Sequence, residues 1–107
     1  MRGDLVTIAM QGDFGKPRPA LVIQANPFRE HTSVTVLPIT STIVDAPLLR
    51  VTVPSGMENG LKDPSQIMVD KIMTVKRSKV GAAFGHIDAN TLAKVERCLA
   101  VFLGIAK

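Results

Sequence analysis

The sequence has a single cysteine, two histidines, four phenylalanines and neither tryptophan nor tyrosine. Cys98 alone cannot form an intramolecular disulfide, and one cysteine with two histidines is too few for a four-ligand structural zinc site. No run approaches the roughly 18–20 apolar residues of a membrane-spanning helix, and residues 1–10 are too short and polar for a secretory signal peptide. These absences predict a cytoplasmic protein with no membrane partner.

With aromatic residues at 4% of the chain, the core must be aliphatic. The 107 residues, 46% of them hydrophobic and 21% charged, suffice for one folded domain over residues 1–107 and do not resemble a disordered chain. The net charge of +4 favours an anionic partner, either a nucleic acid or an acidic protein. Charge alone does not choose between them.

Segments rich in β-branched residues alternate with clusters of Gly, Pro, Asn and Asp, which is typical of a small β unit. The predicted strands cover residues 4–10, 18–24, 33–40, 48–53 and 66–75. Residues 88–104 instead repeat apolar side chains at helical spacing, with Asp88 as the N-cap and Gly104 at the end. We therefore expect a mainly β (α+β) fold, a small and strongly curved antiparallel barrel covered by one C-terminal amphipathic helix. The apolar stripe of that helix is Leu92, Val95, Leu99, Phe102 and Leu103, and we expect it to pack on the sheet.

Arg18 stands between Pro17 and Pro19 at the start of an apolar strand. Proline cannot donate to a strand ladder, so this start should lie at a rim of the sheet, with Arg18 exposed. A guanidinium offers a planar fork of donors suited to a phosphate or a carboxylate. The alternative is an arginine that merely begins the strand.

Two further polar features interrupt apolar runs. Residues 40–42 are three consecutive hydroxyl residues at the end of a strand, where they can hold a phosphate or merely cap a turn. Asp70 is the one acid in the run 66–73, and strand alternation would place Lys71 on the opposite face. Asp70 then needs solvent or a distant partner, for which Arg18 is a candidate.

Several other side chains allow both a functional and a structural interpretation. His31 and His86 could form an acid–base pair, or lie in a solvated loop and beside the helix start. Phe14 and Phe28 could stack on bases or fold back over the barrel end. The basic segment 76–79, after the last predicted strand, could contact a phosphate backbone or form a solvated turn.

The order and spacing of several short motifs carry a resemblance over nearly the whole chain. They are "GDLV", "KPRPALVIQ", "VLPITS", "NGL", "VDKI" and "IDANTLAKVERCLAVFLG". Together they resemble the MazF/PemK (Kid) family of toxins from bacterial type II toxin–antitoxin systems. The resemblance implies an SH3-like barrel of the CcdB/MazF type, a homodimer, and a cofactor-free, metal-independent endoribonuclease acting on single-stranded RNA, often mRNA. It also implies a cognate antitoxin whose acidic tail covers the RNA groove.

The resemblance places the family's catalytic arginine on Arg18 and its catalytic threonine on Thr40. Ser41 and Asp70 fall on accessory positions of some members, and Asp4 falls where others carry an acid in the first strand. Where a PemK-type member can place a second basic residue, this sequence has Met68.

The role of that basic side chain is then either absent here or supplied by another residue, for which the candidates are Lys71, Lys76 and Arg77. Lys16 is a further candidate for RNA contact.

These residue types suit cleavage in which the 2′-OH of RNA attacks the adjacent phosphorus, leaving a cyclic phosphate and a 5′-OH. Arg18 can stabilise charge on the phosphate oxygens, but a guanidinium stays protonated and is a poor base. Thr40 and Ser41 can hydrogen-bond a phosphate oxygen or the ribose. Two alternatives remain: a CcdB-like toxin that poisons a protein such as DNA gyrase without catalysis, and a plain RNA- or protein-binding barrel.

Overall fold

The computed structural model describes residues 1–9 and 16–106. Within these ranges the chain forms seven strands and one α-helix. They are β1 (Asp4–Ala9), β2 (Pro17–Val22), β3 (Ser33–Thr40), β4 (Arg50–Val53), β5 (Ser65–Met68), β6 (Met73–Lys76), β7 (Val80–His86) and α1 (Ala89–Phe102). The strands form an antiparallel sheet in the order β4, β5, β3, β2, β1, β7, and β6 also pairs with β3. The prediction of a mainly β fold with a C-terminal helix is confirmed.

The segment 66–75, predicted as one strand, is two strands separated by a 3-10 turn at Val69–Lys71. β5 pairs with the end of β3 through Ile39 and Ile67, and β6 pairs with its start through Val36 and Met73. Between these two pairs the β5–β6 segment has three more residues than β3. The 3-10 turn accommodates these extra residues, as a β-bulge does. The interruption lets the Val69 side chain enter the core, so strict alternation fails here.

Strand β7 was missed by the sequence analysis, which took 76–79 to follow the last strand. Its sequence, "VGAAFGH", has few of the β-branched residues that mark strands. Pairing with β1 decides its conformation, since Asp4 lies opposite His86 and Ile8 opposite Val80.

The central strands are buried on both faces, which explains their unbroken apolar runs. One cluster lies between the sheet and α1 and includes Leu5, Leu21, Leu37, Ile67 and Val95. The other lies on the opposite face of the sheet and consists of Val6, Ile8, Ala20, Val22, Val34 and Val36. The largest fully buried side chains of the described residues are all Leu, Ile or Val, as an aliphatic core requires.

The helix begins and ends close to the predicted positions. Asp88 is its N-cap and accepts a hydrogen bond from the Thr91 N–H at 2.7 Å, and Gly104 follows the helix with a φ of 76°. The expected burial of the whole apolar stripe is wrong, however, because Phe102 and Leu103 are 45% and 49% exposed. Only the first part of the stripe packs on the sheet.

The sheet does not close completely into a barrel. Among the described strands, β4 and β7 are the ends of the pairing order and do not pair with each other. The loop 54–64 packs on β7 instead, and the His86 N–H donates to the Glu58 carbonyl at 3.0 Å. Across residues 1–9 and 16–106, no helix has the length and apolar character to cross a membrane.

Candidate active site

Arg18 and Thr40 lie side by side at one end of the sheet. β2 and β3 pair through Ala20 and Pro38, and continuing that register by two residues places Arg18 opposite Thr40. Directly opposed residues of antiparallel strands point to the same face. Both residues line one open cavity of about 420 Å³.

The proline pair explains why this end of β2 is accessible. Pro17 and Pro19 pair with β1, whereas the ladder to β3 runs from Ala20 onward. The prolines therefore lie where β2 extends past its second partner, and their missing N–H groups leave no gap in that ladder. Arg18 is exposed, as predicted.

The Thr40 hydroxyl both caps a turn and faces the cavity. Its Oγ1 accepts a hydrogen bond from the Thr42 N–H at 3.1 Å. A hydroxyl has one proton to donate and two lone pairs, so Thr40 can still donate to a ligand oxygen. Ser41 lies beyond the end of β3, exposed to solvent.

Lys71 is the basic residue that the fold brings to this cavity. Its side chain lines the cavity together with Met68 and Arg18. Lys76 instead pairs with Ser33 at the far end of β6. Of the three candidates to replace a basic residue at position 68, Lys71 is the one that lines this cavity.

Arg77, the third of these candidates, also lies beyond the far end of β6. Its Nε donates to the His31 carbonyl at 2.6 Å. This contact connects two loops rather than the strand ends that carry Arg18 and Thr40.

The expectation that Lys71 and Asp70 point to opposite faces is wrong. The Lys71 Nζ lies 4.0 Å from the Asp70 Oδ2, because both residues belong to the 3-10 turn rather than to a strand. The other carboxylate oxygen, Oδ1, lies 3.6 Å from the Nε of Arg50. That oxygen is buried without a hydrogen-bond partner within the described part of the chain.

Arg50 was therefore missed as a partner of Asp70 by the sequence analysis. The sequence offers one hint of this contact: Arg50 carries the charge opposite to that of Asp70 and begins a strand in which apolar and polar residues alternate. Nothing in the sequence indicates that β4 pairs with β5, where Arg50 lies opposite Met68.

Asp4 lies far from Arg18 along the sheet. Arg18 pairs with Ile8, and Asp4 is about 13 Å further along β1 at roughly 3.3 Å per residue. The Asp4 carboxylate lies 3.2 Å from the N-terminal amino group. The geometry gives it no contact with the cavity.

The remaining candidates divide by location. Lys16 is exposed immediately before β2, next to the cavity end of the sheet, and Phe14 lies outside the described residues. Phe28 is 58% exposed in the turn after β2.

His31 accepts a weak hydrogen bond from the Ser33 N–H, and His86 ends β7 beside the helix start. Neither histidine lines the cavity that contains Arg18 and Thr40.

The titratable residues of the described ranges include no group of three or more His, Cys, Asp or Glu that could hold a metal ion. Metal independence therefore stays a prediction from the resemblance.

Solved structures with the same fold are toxins of the MazF type. The toxin MazF-mt6 of Mycobacterium tuberculosis superposes with a TM-score of 0.80 at 27% identity, over 96% of this chain and 99% of that one. A MazE-MazF crystal structure (Form-II) from Deinococcus radiodurans gives a TM-score of 0.80 at 26% identity, over 98% of this chain and 95% of that one. The fold is thus that of the small toxins of this class.

Sequence comparison gives the family itself. The "Probable endoribonuclease MazF" of Mycolicibacterium smegmatis is 43% identical over 106 residues, which cover 98% of this chain and 97% of that protein. The "Endoribonuclease MazF3" of M. tuberculosis is 36% identical over 92 residues, covering 85% and 82%. The chain belongs to the family of PemK-like, MazF-like toxins of type II toxin–antitoxin systems, whose pattern matches residues 1–103. The resemblance drawn from the sequence is confirmed.

Proposed function

We propose that this protein is the toxin of a type II toxin–antitoxin pair and cleaves single-stranded RNA, including mRNA, without a metal ion. The observation that carries the proposal is the shared cavity of Arg18 and Thr40, with Lys71 at its edge. Two cations line this cavity, and none of its described lining residues is acidic. Such a site attracts a phosphate rather than a cationic ligand.

The reaction proceeds by attack of the 2′-oxygen on the adjacent phosphorus. The 2′-O–P bond forms, the P–O5′ bond breaks, the 2′-hydroxyl proton passes to solvent water, and the 5′-oxygen takes a proton from solvent water. The products are a cyclic phosphate and a 5′-OH. Arg18 stabilises the charge that grows on the phosphate oxygens, and Thr40 donates a hydrogen bond to one of them. Lys71 adds to the cavity a second positive charge, which the uncharged side chain of Met68 cannot supply.

We assign the protein to the cytoplasm with a cognate acidic antitoxin as its partner. The family description and the MazE-MazF structure support that partner. A carboxylate-rich segment in the cationic cavity would exclude RNA, so the two ligands should compete, and both should weaken as salt rises.

We also propose a homodimer. Exposed apolar side chains gather at the end of α1, and large exposed patches mark interaction surfaces. They are Val101, Phe102, Leu103 and Ile105, with exposures of 45%, 45%, 49% and 78%. Met57 is also fully exposed, whereas Leu61 packs against the core. Sedimentation should give twice the 11.5 kDa chain mass at micromolar concentration.

The decisive experiment incubates the purified protein with a mixed-sequence RNA in EDTA and sequences the fragment ends. We expect cleavage at a short preferred sequence and 5′-OH ends. Intact RNA together with inhibition of DNA gyrase would favour the CcdB-like alternative. Cleavage that needs an added divalent ion would contradict the metal-independent route.

A further inference from the structure

We infer that a second cavity, formed by β4, the loop before it and α1, binds phosphates that flank the scissile one on the same RNA. The cavity has a volume of about 490 Å³, and Arg50, Lys94 and Arg97 supply positive charge to its wall. This inference rests on the proposed function, because it assigns a second binding position to the same substrate.

The charge of this cavity suits a polyanion. Among its described lining residues, Asp45 is the one acid against three cations. Lys94 and Arg97 project from one side of α1 and are exposed, so they can reach a ligand without leaving a buried group unpaired. By contrast, the cavity beside His86 contains Glu58 and Asp88, and it would repel phosphate.

The two cationic cavities lie next to each other on the sheet. Met68 lines the Arg18–Thr40 cavity, and its strand partner Arg50 lines the second cavity. Thr40, Gln66 and Thr52 form the adjacent row across β3, β5 and β4. Neighbouring strands are about 4.8 Å apart, and Arg50 is two residues along β4 from the row that contains Arg18. Arg50 therefore lies about 16 Å from Arg18 across the sheet, a span that a few nucleotides cover.

The continuity of the two cavities favours RNA over an acidic peptide as the ligand. A single strand that crosses the sheet from Arg18 would meet Lys71 and Arg50, whose charges Asp70 partly offsets, and then the exposed helix cations Lys94 and Arg97. Proteins that bind single strands use such cationic grooves to follow the backbone. The exposed apolar side chains of Val44 and Pro47 line the same cavity and can contact a base or ribose.

The test uses Lys94→Gln and Arg97→Gln, with Arg29→Gln as the matched control. Arg29 is exposed, loses the same charge and lines neither of these two cavities. Arg50 is left unchanged because its removal would strand the Asp70 carboxylate. Fluorescence anisotropy measures binding of uncleavable 2′-fluoro RNAs of about twelve and about three nucleotides across a salt series.

We expect each helix substitution to weaken binding of the long RNA about fivefold and to lower the slope of log K against log salt by about 0.7. The preference for long over short RNA should fall about fivefold, and Arg29→Gln should keep the parent preference. Helix variants that behave like Arg29→Gln would overturn the inference. The inference would also be overturned if the helix variants bound RNA as Arg29→Gln does but no longer bound a glutamate decapeptide. In that case the cavity would serve a protein ligand.

Cleavage of unmodified RNA by the parent protein separates this inference from the proposed function. If the parent does not cleave but the long-RNA preference depends on Lys94 and Arg97, the endonuclease assignment fails and the second cavity stands. If the parent cleaves and the helix variants keep their length preference, the second cavity fails alone.

Discussion

The Nε of Arg50 lies 3.6 Å from the Oδ1 of Asp70, and the Oδ2 of the same carboxylate lies 4.0 Å from the Nζ of Lys71. Asp70 thus lies between a cation of the Arg18–Thr40 cavity, Lys71, and a cation of the second cavity, Arg50. Its side chain is 22% exposed, so water only partly screens these contacts. The interruption of the strand at the 3-10 turn is what gives one carboxylate both neighbours.

The first prediction concerns Asp70→Asn, which keeps the side-chain shape and removes its charge. We expect the free energy of unfolding to fall by about 1 kcal/mol, because a partly buried ion pair is lost. We also expect cleavage to slow several-fold, because Lys71 loses the group that positions it. Urea unfolding and single-turnover cleavage measure the two effects. Asp63→Asn, at an exposed loop acid, is the control, and equal behaviour of the two variants would contradict the role of Asp70.

The second prediction concerns the proposed catalytic pair. Arg18→Ala should fold normally, since Arg18 is exposed, and cleavage should fall about a hundredfold or more as one transition-state contact of roughly 3 kcal/mol is lost. Arg18→Lys should retain part of the RNA binding and lose most of the cleavage, because an ammonium lacks the two-point planar geometry. Thr40→Ala should show a milder defect. A folded Arg18→Ala variant with the parent rate in a single-turnover assay would show that Arg18 only begins the strand.

The third prediction separates Lys71 from the other basic candidates. Lys71→Gln should reduce kcat/KM about tenfold, since it removes a charge at the cavity edge. Lys76→Gln removes the same charge at the far end of β6 and should change kcat/KM by less than about twofold, because exposed charges beyond a Debye length of about 8 Å are screened. Steady-state kinetics at physiological salt measures both. A larger loss for Lys76→Gln would place the second cation at the other end of the sheet.

The fourth prediction concerns the loop that packs on β7. A Cβ added at Gly85 would lie 2.3 Å from the carbonyl oxygen and 2.4 Å from the carbonyl carbon of Asn59. Because backbone atoms cannot turn away as a side chain can, Gly85→Ala should lower the free energy of unfolding by about 2 kcal/mol or more. Gly56→Ala is the matched control, since its Cβ would find its nearest neighbour at 3.8 Å, an ordinary contact. Equal urea unfolding midpoints for the two variants would show that the loop can move away from the added Cβ without loss of stability.

The fifth prediction concerns acid. The Thr91 side chain and then its backbone N–H hydrogen-bond the Asp88 carboxylate and lower its pKa below the ordinary value of 3.8. A carboxyl group with a lowered folded-state pKa stabilises the fold fully above its unfolded-state pKa, and that stabilisation disappears as the pH falls through the folded-state value. Asp88→Asn keeps a good N-cap without a charge, so its melting temperature should depend less on pH below about 4 than that of the parent. Thermal melts between about pH 2 and pH 6 measure the difference, and parallel curves would exclude a contribution from Asp88.

The sequence by itself determined the parts of this protein that local periodicity encodes. Alternating and continuous apolar runs identified most strands, and the helical stripe with Asp88 before it and Gly104 after it located α1. Proline chemistry at positions 17 and 19 was enough to place Arg18 at an exposed strand start. Because these signals depend on neighbours a few residues apart, they are readable without a fold.

Only the tertiary structure decided which distant residues meet. Pairing with β1 made a strand of the glycine-rich residues 80–86, and unequal pairing along β3 opened the turn that brings Lys71 to Arg18 and Thr40. The contact of Asp70 with Arg50 likewise depends on the register between β4 and β5. The register depends on the burial of whole strand faces across the sheet, which residues close in sequence do not determine. A shift of one residue would turn the side chains of the shifted strand to the other face.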